Sequence, residues 1–181
     1  MTLASEILHL VELTTEAPVT LVIDGPSGAG KTTLAAELEH EWPAHRSVTI
    51  LHMDDIYPGW TGLREASEIV ANTVIPARIA HSEGTFSSWD WANSTPGEPI
   101  TLAANVDLII EGCGALNPVV ASAATMSVWL DAHDDIRKVR ALSRGNEDFE
   151  SHWDEWDEQF QLFVAECDPR ALATLRVSAN R

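Results

Sequence analysis

The sequence predicts an α/β protein, a parallel sheet covered by helices on both faces. Two observations predict it. Short apolar runs of strand length alternate with longer segments of helical spacing, and that alternation implies parallel strands buried on both sides. The first run, residues 19–23 (VTLVI), opens into a glycine-rich turn and then a helix-forming stretch, residues 33–39. The chain of 181 residues falls in the usual single-domain range, and its 45% hydrophobic content is ordinary for a buried core.

The elements follow in order. Residues 5–13 carry Ile7, Leu8, Leu10 and Val11 at helical spacing. With Glu6 and Glu12 and no cationic start, residues 1–13 read as an amphipathic helix and not a signal peptide. After the first strand and its helix, residues 47–52 read as a second strand ending at Asp54 and Asp55, and Pro58-Gly59 marks a turn. Residues 64–72 are helical, and Pro76 opens or breaks the next segment. Residues 94–99, rich in turn formers, read as a loop. Residues 106–110 form a third strand running into Glu111-Gly112, and residues 126–130 a fourth. Helices are predicted over 131–144 and 149–167, the second with Trp153, Trp156, Phe160, Phe163, Val164 and Cys167 on one stripe. Residues 175–177 allow a last short strand. One domain over residues 1–181 is expected, with a short lid around 140–150.

A net charge of −17 argues against a duplex nucleic-acid partner, while a small-molecule acceptor needs only a local pocket. No apolar run approaches the roughly 18 residues of a membrane span. Cytoplasm is the expected compartment, and a homo-oligomer stays open. Two cysteines make no disulfide framework, and Cys113, between glycines, reads as a packed residue more than a nucleophile.

The chemistry concentrates in three places. Gly25, Pro26, Ser27, Gly28, Ala29, Gly30, Lys31 and Thr32 fit the P-loop pattern G-x-x-x-x-G-K-[ST] at every constrained position, between a strand and a helix. Such a turn aims backbone N–H groups and a helix N-terminus at one point, which suits a polyphosphate. ATP is therefore the expected ligand, with Thr33 completing the nucleotide-binding set. Lys31 would reach the β- and γ-phosphates, and the Thr32 hydroxyl would bind Mg²⁺. Asp54 and Asp55 follow the second strand, where a carboxylate can orient an acceptor hydroxyl and take its proton; a turn or helix cap is the plainer use of such a pair. Glu111 ends the third strand, the Walker-B position for a second contact to Mg²⁺, or is a surface acid at a strand end. The rule that ligands bind at the carboxyl ends of parallel strands puts the glycine loop, Asp54 and Glu111 on one rim.

Arg137, Arg140 and Arg144 share one helix face, either as a clamp on a transferring phosphoryl group or as surface ion pairs with Asp134, Asp135 and the acids at 147–150. Arg144 is the better placed for the clamp, because Gly145-Asn146 makes a hinge-like end beside it. Phe86, Trp89, Asp90 and Trp91 form an aromatic and acidic cluster that suits a base and sugar hydroxyls, or simply packs a hairpin edge.

Taken together, GPSGAGKT, MDDIY after the second strand, WDW, IIEGCG after the third strand and RKVRALSRG resemble the uridine kinase-like branch of the P-loop kinases over roughly residues 19–178. The resemblance implies a P-loop NTPase fold, a three-layer α/β/α sandwich, and ATP- and Mg²⁺-dependent phosphoryl transfer to a hydroxyl of a small acceptor, a nucleoside first. It implies Asp54 as the base, with Tyr57 in the same element, Trp89-Asp90 as acceptor contacts, Glu111 on the metal, and Arg140 to Arg144 as the lid. The sequence departs from the family after Trp91, where Ala92-Asn93-Ser94 replaces a His and an Arg, and its lid is shorter and poorer in arginine. A sugar, a vitamin precursor or another nucleoside therefore stays open as acceptor. A nucleoside-monophosphate kinase would need a second cationic site, for which Arg64 and Arg78 are the candidates. A non-catalytic ATP-binding regulator would need no acceptor pocket.

Overall fold

Alternation inside the strands decides the layers. In β1 (Thr20–Asp24), Leu21 and Ile23 face one side and Val22 the other; in β5 (Asp107–Glu111), Ile109 opposes Leu108 and Ile110 in the same way. Both strands are buried along their whole length, so each face needs its own cover. The chain is seen in a computed structural model that describes residues 2–15, 18–144 and 147–178, with the backbone alone at 144, 147 and 148.

Five strands form one parallel sheet in the order β2-β5-β1-β6-β7, where β2 is Val48–His52, β6 Met126–Asp131 and β7 Leu175–Ser178. Helices α1 (Leu3–Leu13) and α2 (Lys31–His40) cover the first face through Ile7, Leu8, Val11, Leu34 and Leu38. On the second face, Val22, Ile110 and Trp129 pack against Leu63, Val70 and Val74, and against Trp156, Phe160 and Phe163 of the long helix. This is the α/β/α sandwich with a parallel sheet that the sequence predicts. No helix among the described residues is long and apolar enough to cross a membrane.

One local expectation is corrected. Residues 94–99 are not a loop: β3 (Gly84–Asp90) and β4 (Thr95–Leu102) pair as an antiparallel hairpin, with Phe86 opposite Ile100 and Trp89 opposite Pro96. A two-stranded ribbon has two free edges, so Pro96 and Pro99 lose no ladder bond that the fold needs. Of the two expectations for Pro76, it opens a helix: the segment runs from α3 (Leu63–Ile69) through a π-helical stretch (Val70–Val74) into α4 (Ile75–Ile79), with Pro76 in the first turn of α4. Two short helices escape the sequence reading, α5 (Pro118–Ala123) and α8 (Pro169–Leu172), each opened by a proline behind an Asn117 or Asp168 cap. The remaining helices are α6 (Asp134–Arg144) and α7 (Glu147–Cys167).

Candidate active site

The phosphate loop sits where strand order reverses, at the carboxyl end of β1 between β5 and β6. Gly28 holds φ +80°, and a Cβ there would stand 2.0 Å from the Arg137 carbonyl oxygen. Only glycine lets the loop pass under α6. The loop is braced from below by Asp24, whose fully buried carboxylate accepts from the amides of Gly25 (2.6 Å), Gly114 (3.0 Å) and Leu116 (2.8 Å). Burial pushes its pKa up to about 6, against the pull of those N–H groups and of Lys31. Asp24→Ala would strand three buried amides and is expected to cost about 2 kcal/mol of stability or more. A urea midpoint equal to the wild type would show that water or a shifted loop replaces the carboxylate.

Helix α2 begins at Gly30 with no side-chain cap, which leaves its first amides to a ligand. Lys31 is 7% exposed; its Nζ donates to the Pro26 carbonyl at 3.0 Å and to Cys113 Sγ at 3.4 Å. Among the described residues no carboxylate pairs with it. Burial works against the ammonium, yet Cys113, Glu111 and Asp24 together hold its pKa above the usual lysine value. A buried cation with only a carbonyl and a sulfur to bind is an anion site in waiting.

Register brings the acidic groups to it. His52 is the in-register partner of Glu111 across β2 and β5, and its Nδ1 lies 2.7 Å from Glu111 Oε1. The Thr32 hydroxyl donates to that same oxygen at 3.1 Å. Among the described residues there is no group of three His, Cys, Asp or Glu side chains that could cage a metal. One hydroxyl and one carboxylate beside a phosphate loop suit Mg²⁺, which keeps several waters and takes the rest of its ligands from substrate phosphates. Asp54 and Asp55 leave β2 in a single 3-10 turn (Met53–Asp55), and both line the cavity. Asp54 is exposed to solvent, yet nearby protein atoms displace much of the water around its carboxylate. That desolvation, with the Glu111 carboxylate second, raises its pKa above the ordinary carboxylate value.

These groups share one cavity of about 570 Å³. Ser27, Gly28, Gly30, Lys31, Thr32, Asp54, Tyr57 and Glu111, all marked by the sequence reading or flanking its marks, line it together. The Tyr57 hydroxyl is already spent on the Cys113 carbonyl at 2.8 Å. Aromatic side chains line the same cavity: Trp60, Trp91, Phe149 and Trp156. Trp60 lies at the centre of this group, 4.9 Å from Trp91, 5.5 Å from Phe149 and 4.8 Å from His152 between ring centroids. Trp89 and Asp90 are not among the lining residues. The Asp90 carboxylate accepts from the Ala92 and Asn93 amides (3.0 and 3.1 Å) and from the Asn93 side chain (2.7 Å), so it caps the hairpin turn. It is Trp91 that reaches the cavity, its Nε1 donating to the Asp54 carbonyl at 2.8 Å.

Arg137 takes the ion-pair alternative. It is 5% exposed and bonded to Asp134 (2.7 Å) and Asp157 (2.8 Å). Arg140 is half-buried on α6, and its neighbour Ala141 lines the cavity. The Arg144 side chain, and the hinge Gly145-Asn146 of the expected lid, lie outside the described residues. Both candidates for a second cationic site are engaged elsewhere. Arg64 pairs with Glu166, and Arg78 donates to the Val106 and Val19 carbonyls (2.7 and 3.0 Å) under the amino ends of the strands. Lys31 is the one Lys or Arg among the described residues that line the cavity.

Sequence reasoning missed His52, Trp60, Phe149 and the site role of Trp156. His52 had a weak signal, two residues before Asp54 at the end of a strand. Trp156 sat on a stripe that any buried helix would show.

No family model matches the chain. Among curated proteins, the uridine kinase of Lactobacillus helveticus (strain DPC 4571) is 28% identical over 144 residues, which span 71% of this chain and 68% of that protein. Among solved structures, a protein described as a possible uridine kinase from Bacillus stearothermophilus superimposes with a TM-score of 0.67 at 20% identity, over 96% of each chain. D-glycerate 3-kinase from Cryptococcus neoformans var. grubii superimposes with a TM-score of 0.51 at 11% identity, over 91% of this chain and 85% of that one. The two solved structures share the fold.

Proposed function

We propose, for a chain that groups with the uridine kinase-like P-loop kinases in sequence and in fold, ATP-dependent transfer of a phosphoryl group to a hydroxyl of a small acceptor, a nucleoside. The observation that carries this reading is one cavity lined both by Lys31, Thr32, Asp54 and Glu111 and by the rings of Trp60, Trp91, Phe149 and Trp156. A phosphate loop alone would serve a regulator; carboxylates and aromatic rings in the same cavity are what a phosphoryl acceptor needs.

Lys31 and the amides of the loop hold the triphosphate and draw charge from its outer phosphates. Thr32 and Glu111 would hold Mg²⁺, which neutralises charge on the phosphates when bound. Asp54 accepts the proton of the acceptor hydroxyl as that oxygen bonds to the γ-phosphorus; the bond to the bridging β,γ-oxygen breaks and ADP leaves. Arg140 and Arg144 are retained as lid residues of this proposal. An acceptor that already carries a phosphate meets three carboxylates, Asp54, Asp55 and Glu111, and no cation besides Lys31 among the described lining residues, which favours a nucleoside over its monophosphate.

Release of ADP from ATP, measured with uridine, cytidine, adenosine, glycerate and uridine monophosphate in turn, tests the reading. The expected result is turnover that depends on a nucleoside and not on the monophosphate. ATP consumption indifferent to every acceptor would replace the enzyme with a regulator. Within that assay, Trp91→Ala is expected to raise the acceptor KM about tenfold with the ATP KM little changed, since stacking of a base on an aromatic ring is worth about 1–3 kcal/mol. Asp90→Asn, confined to its turn, is expected to change the acceptor KM less than about twofold, the scale of an ordinary surface substitution. A larger effect from Asp90 than from Trp91 would move the acceptor subsite onto the hairpin turn.

A further inference from the structure

Helix α7 grips both the phosphate loop and the aromatic lining of the cavity. Trp156, 5% exposed, donates from Nε1 to Ser27 Oγ in the phosphate loop at 3.0 Å. Three residues on, Gln159 Nε2 donates at 2.7 Å to the backbone carbonyl of Trp60, the central ring of the aromatic lining. Residues three apart on a helix are neighbours, so both grips come from a single turn. The Trp156 ring also meets Tyr57 edge-on, centroids 4.7 Å apart at 76°. Tyr57 is tied to the Cys113 carbonyl, and Cys113 Sγ lies 3.4 Å from Ser27 Oγ. The contacts close a circuit: Ser27, Trp156, Tyr57, Cys113 and back to Ser27.

We propose that Trp156 is a positioning residue that couples the phosphate loop to the aromatic lining of the cavity, so that a triphosphate in the loop orders Trp60 for the acceptor. An indole N–H only donates, whereas a serine hydroxyl both accepts and donates. Ser27 can therefore keep the Trp156 bond while turning its own O–H onto a phosphate oxygen. A hydroxyl bonded to an anion is a better acceptor for its other partner, so the Trp156 bond tightens when the loop fills. Gln159, whose amide holds the Trp60 carbonyl, and the edge contact of the two indoles, centroids 6.3 Å apart, carry that tightening to Trp60. Coupling of this kind is reciprocal: an acceptor that orders Trp60 strengthens nucleotide binding by the same factor. The inference rests on the loop being the ATP site, and its test needs no knowledge of the acceptor.

The seven tryptophans can be replaced by 5-fluorotryptophan and followed by ¹⁹F NMR, with single Trp→Phe variants for assignment. The probe is the non-hydrolysable ATP analogue AMP-PNP with Mg²⁺, its binding measured separately by calorimetry. In the wild type the Trp156 and Trp60 resonances are expected to move together with saturation. In Trp156→Phe, which keeps the ring and loses the N–H, the analogue should still bind, within about tenfold, the scale of one hydrogen bond, while the Trp60 resonance stays still. In Gln159→Met, Trp156 should move as in the wild type and the Trp60 shift should shrink, the indole edge contact alone remaining. Ser27→Ala breaks the same link from the other end and serves if Trp156→Phe does not fold. A Trp60 resonance that moves in the variants as it does in the wild type overturns the coupling, as does one that is silent in a wild type that binds the analogue. Absence of binding in calorimetry would instead overturn the ATP-site reading, and the coupling with it.

Discussion

Lys31→Ala is expected to fold as the wild type does and to lose phosphoryl transfer by at least ~10²-fold, the order seen when a single preorganised electrostatic donor is removed. The two halves of this expectation come from the same observation. The Lys31 ammonium is buried with a carbonyl and a sulfur for company and no paired carboxylate among the described residues, so its removal unmakes no salt bridge. Ala removes a desolvated charge and, against that, the attraction to Cys113, Glu111 and Asp24 that holds the Lys31 pKa up. Thermal melts should therefore change little while turnover collapses. Near-full turnover in the variant would take the phosphate loop out of the mechanism; a collapsed melt would make Lys31 a structural residue.

Asp54→Asn is expected to leave nucleotide binding nearly intact and to cost on the order of 10²-fold or more in turnover, as removal of a general base does. The amide keeps the size of the side chain and cannot take the acceptor proton. Asp55→Asn should cost less; the reverse ranking would show that the acid has been read one residue out. The pH profile adds an independent check. Desolvation by the protein atoms around it first, and the Glu111 carboxylate second, raise the Asp54 pKa above the ordinary carboxylate value. A base works in its ionised form, so activity rises with pH as Asp54 loses its proton, and the acid limb of kcat/KM lies at higher pH than a normal Asp would give. Asp54→Asn should erase that limb. Glu111→Gln removes the neighbouring charge and should move the limb to lower pH in whatever activity it retains. A limb that stays put in Glu111→Gln would mean that another group sets it.

Legibility of the site follows the range of the interaction. The phosphate loop could be read because it is local: a strand, a glycine turn and a helix are contiguous, and Gly28 is demanded by a backbone that no other residue tolerates without moving α6. Asp54 and Glu111 could be placed on one rim because parallel strands put their carboxyl ends at one edge. Trp89 and Asp90 were read as acceptor contacts from the resemblance of the WDW element. Which of three consecutive residues points into the cavity depends on the hairpin register, with its irregularity between Ser87 and Trp89, and on an Asx turn that claims the Asp90 carboxylate. No local rule states that outcome. Arg137 was left open between a clamp and an ion pair, and Asp157, twenty residues away on another helix, decided it.

By itself the sequence determined the α/β class, the order of the main strands and the place of the nucleotide loop, because each rests on side-chain periodicity or backbone freedom within a dozen residues. Only the tertiary structure decided which strands are neighbours in register, so that His52 meets Glu111. It alone decided that Arg64 and Arg78 are engaged away from the cavity, and that Trp60, Trp91, Phe149 and Trp156 converge on it. Those pairings join residues up to about a hundred positions apart, and the packing of two helical layers on one sheet brings them together. Nothing in the neighbourhood of any one of them along the chain carries that information.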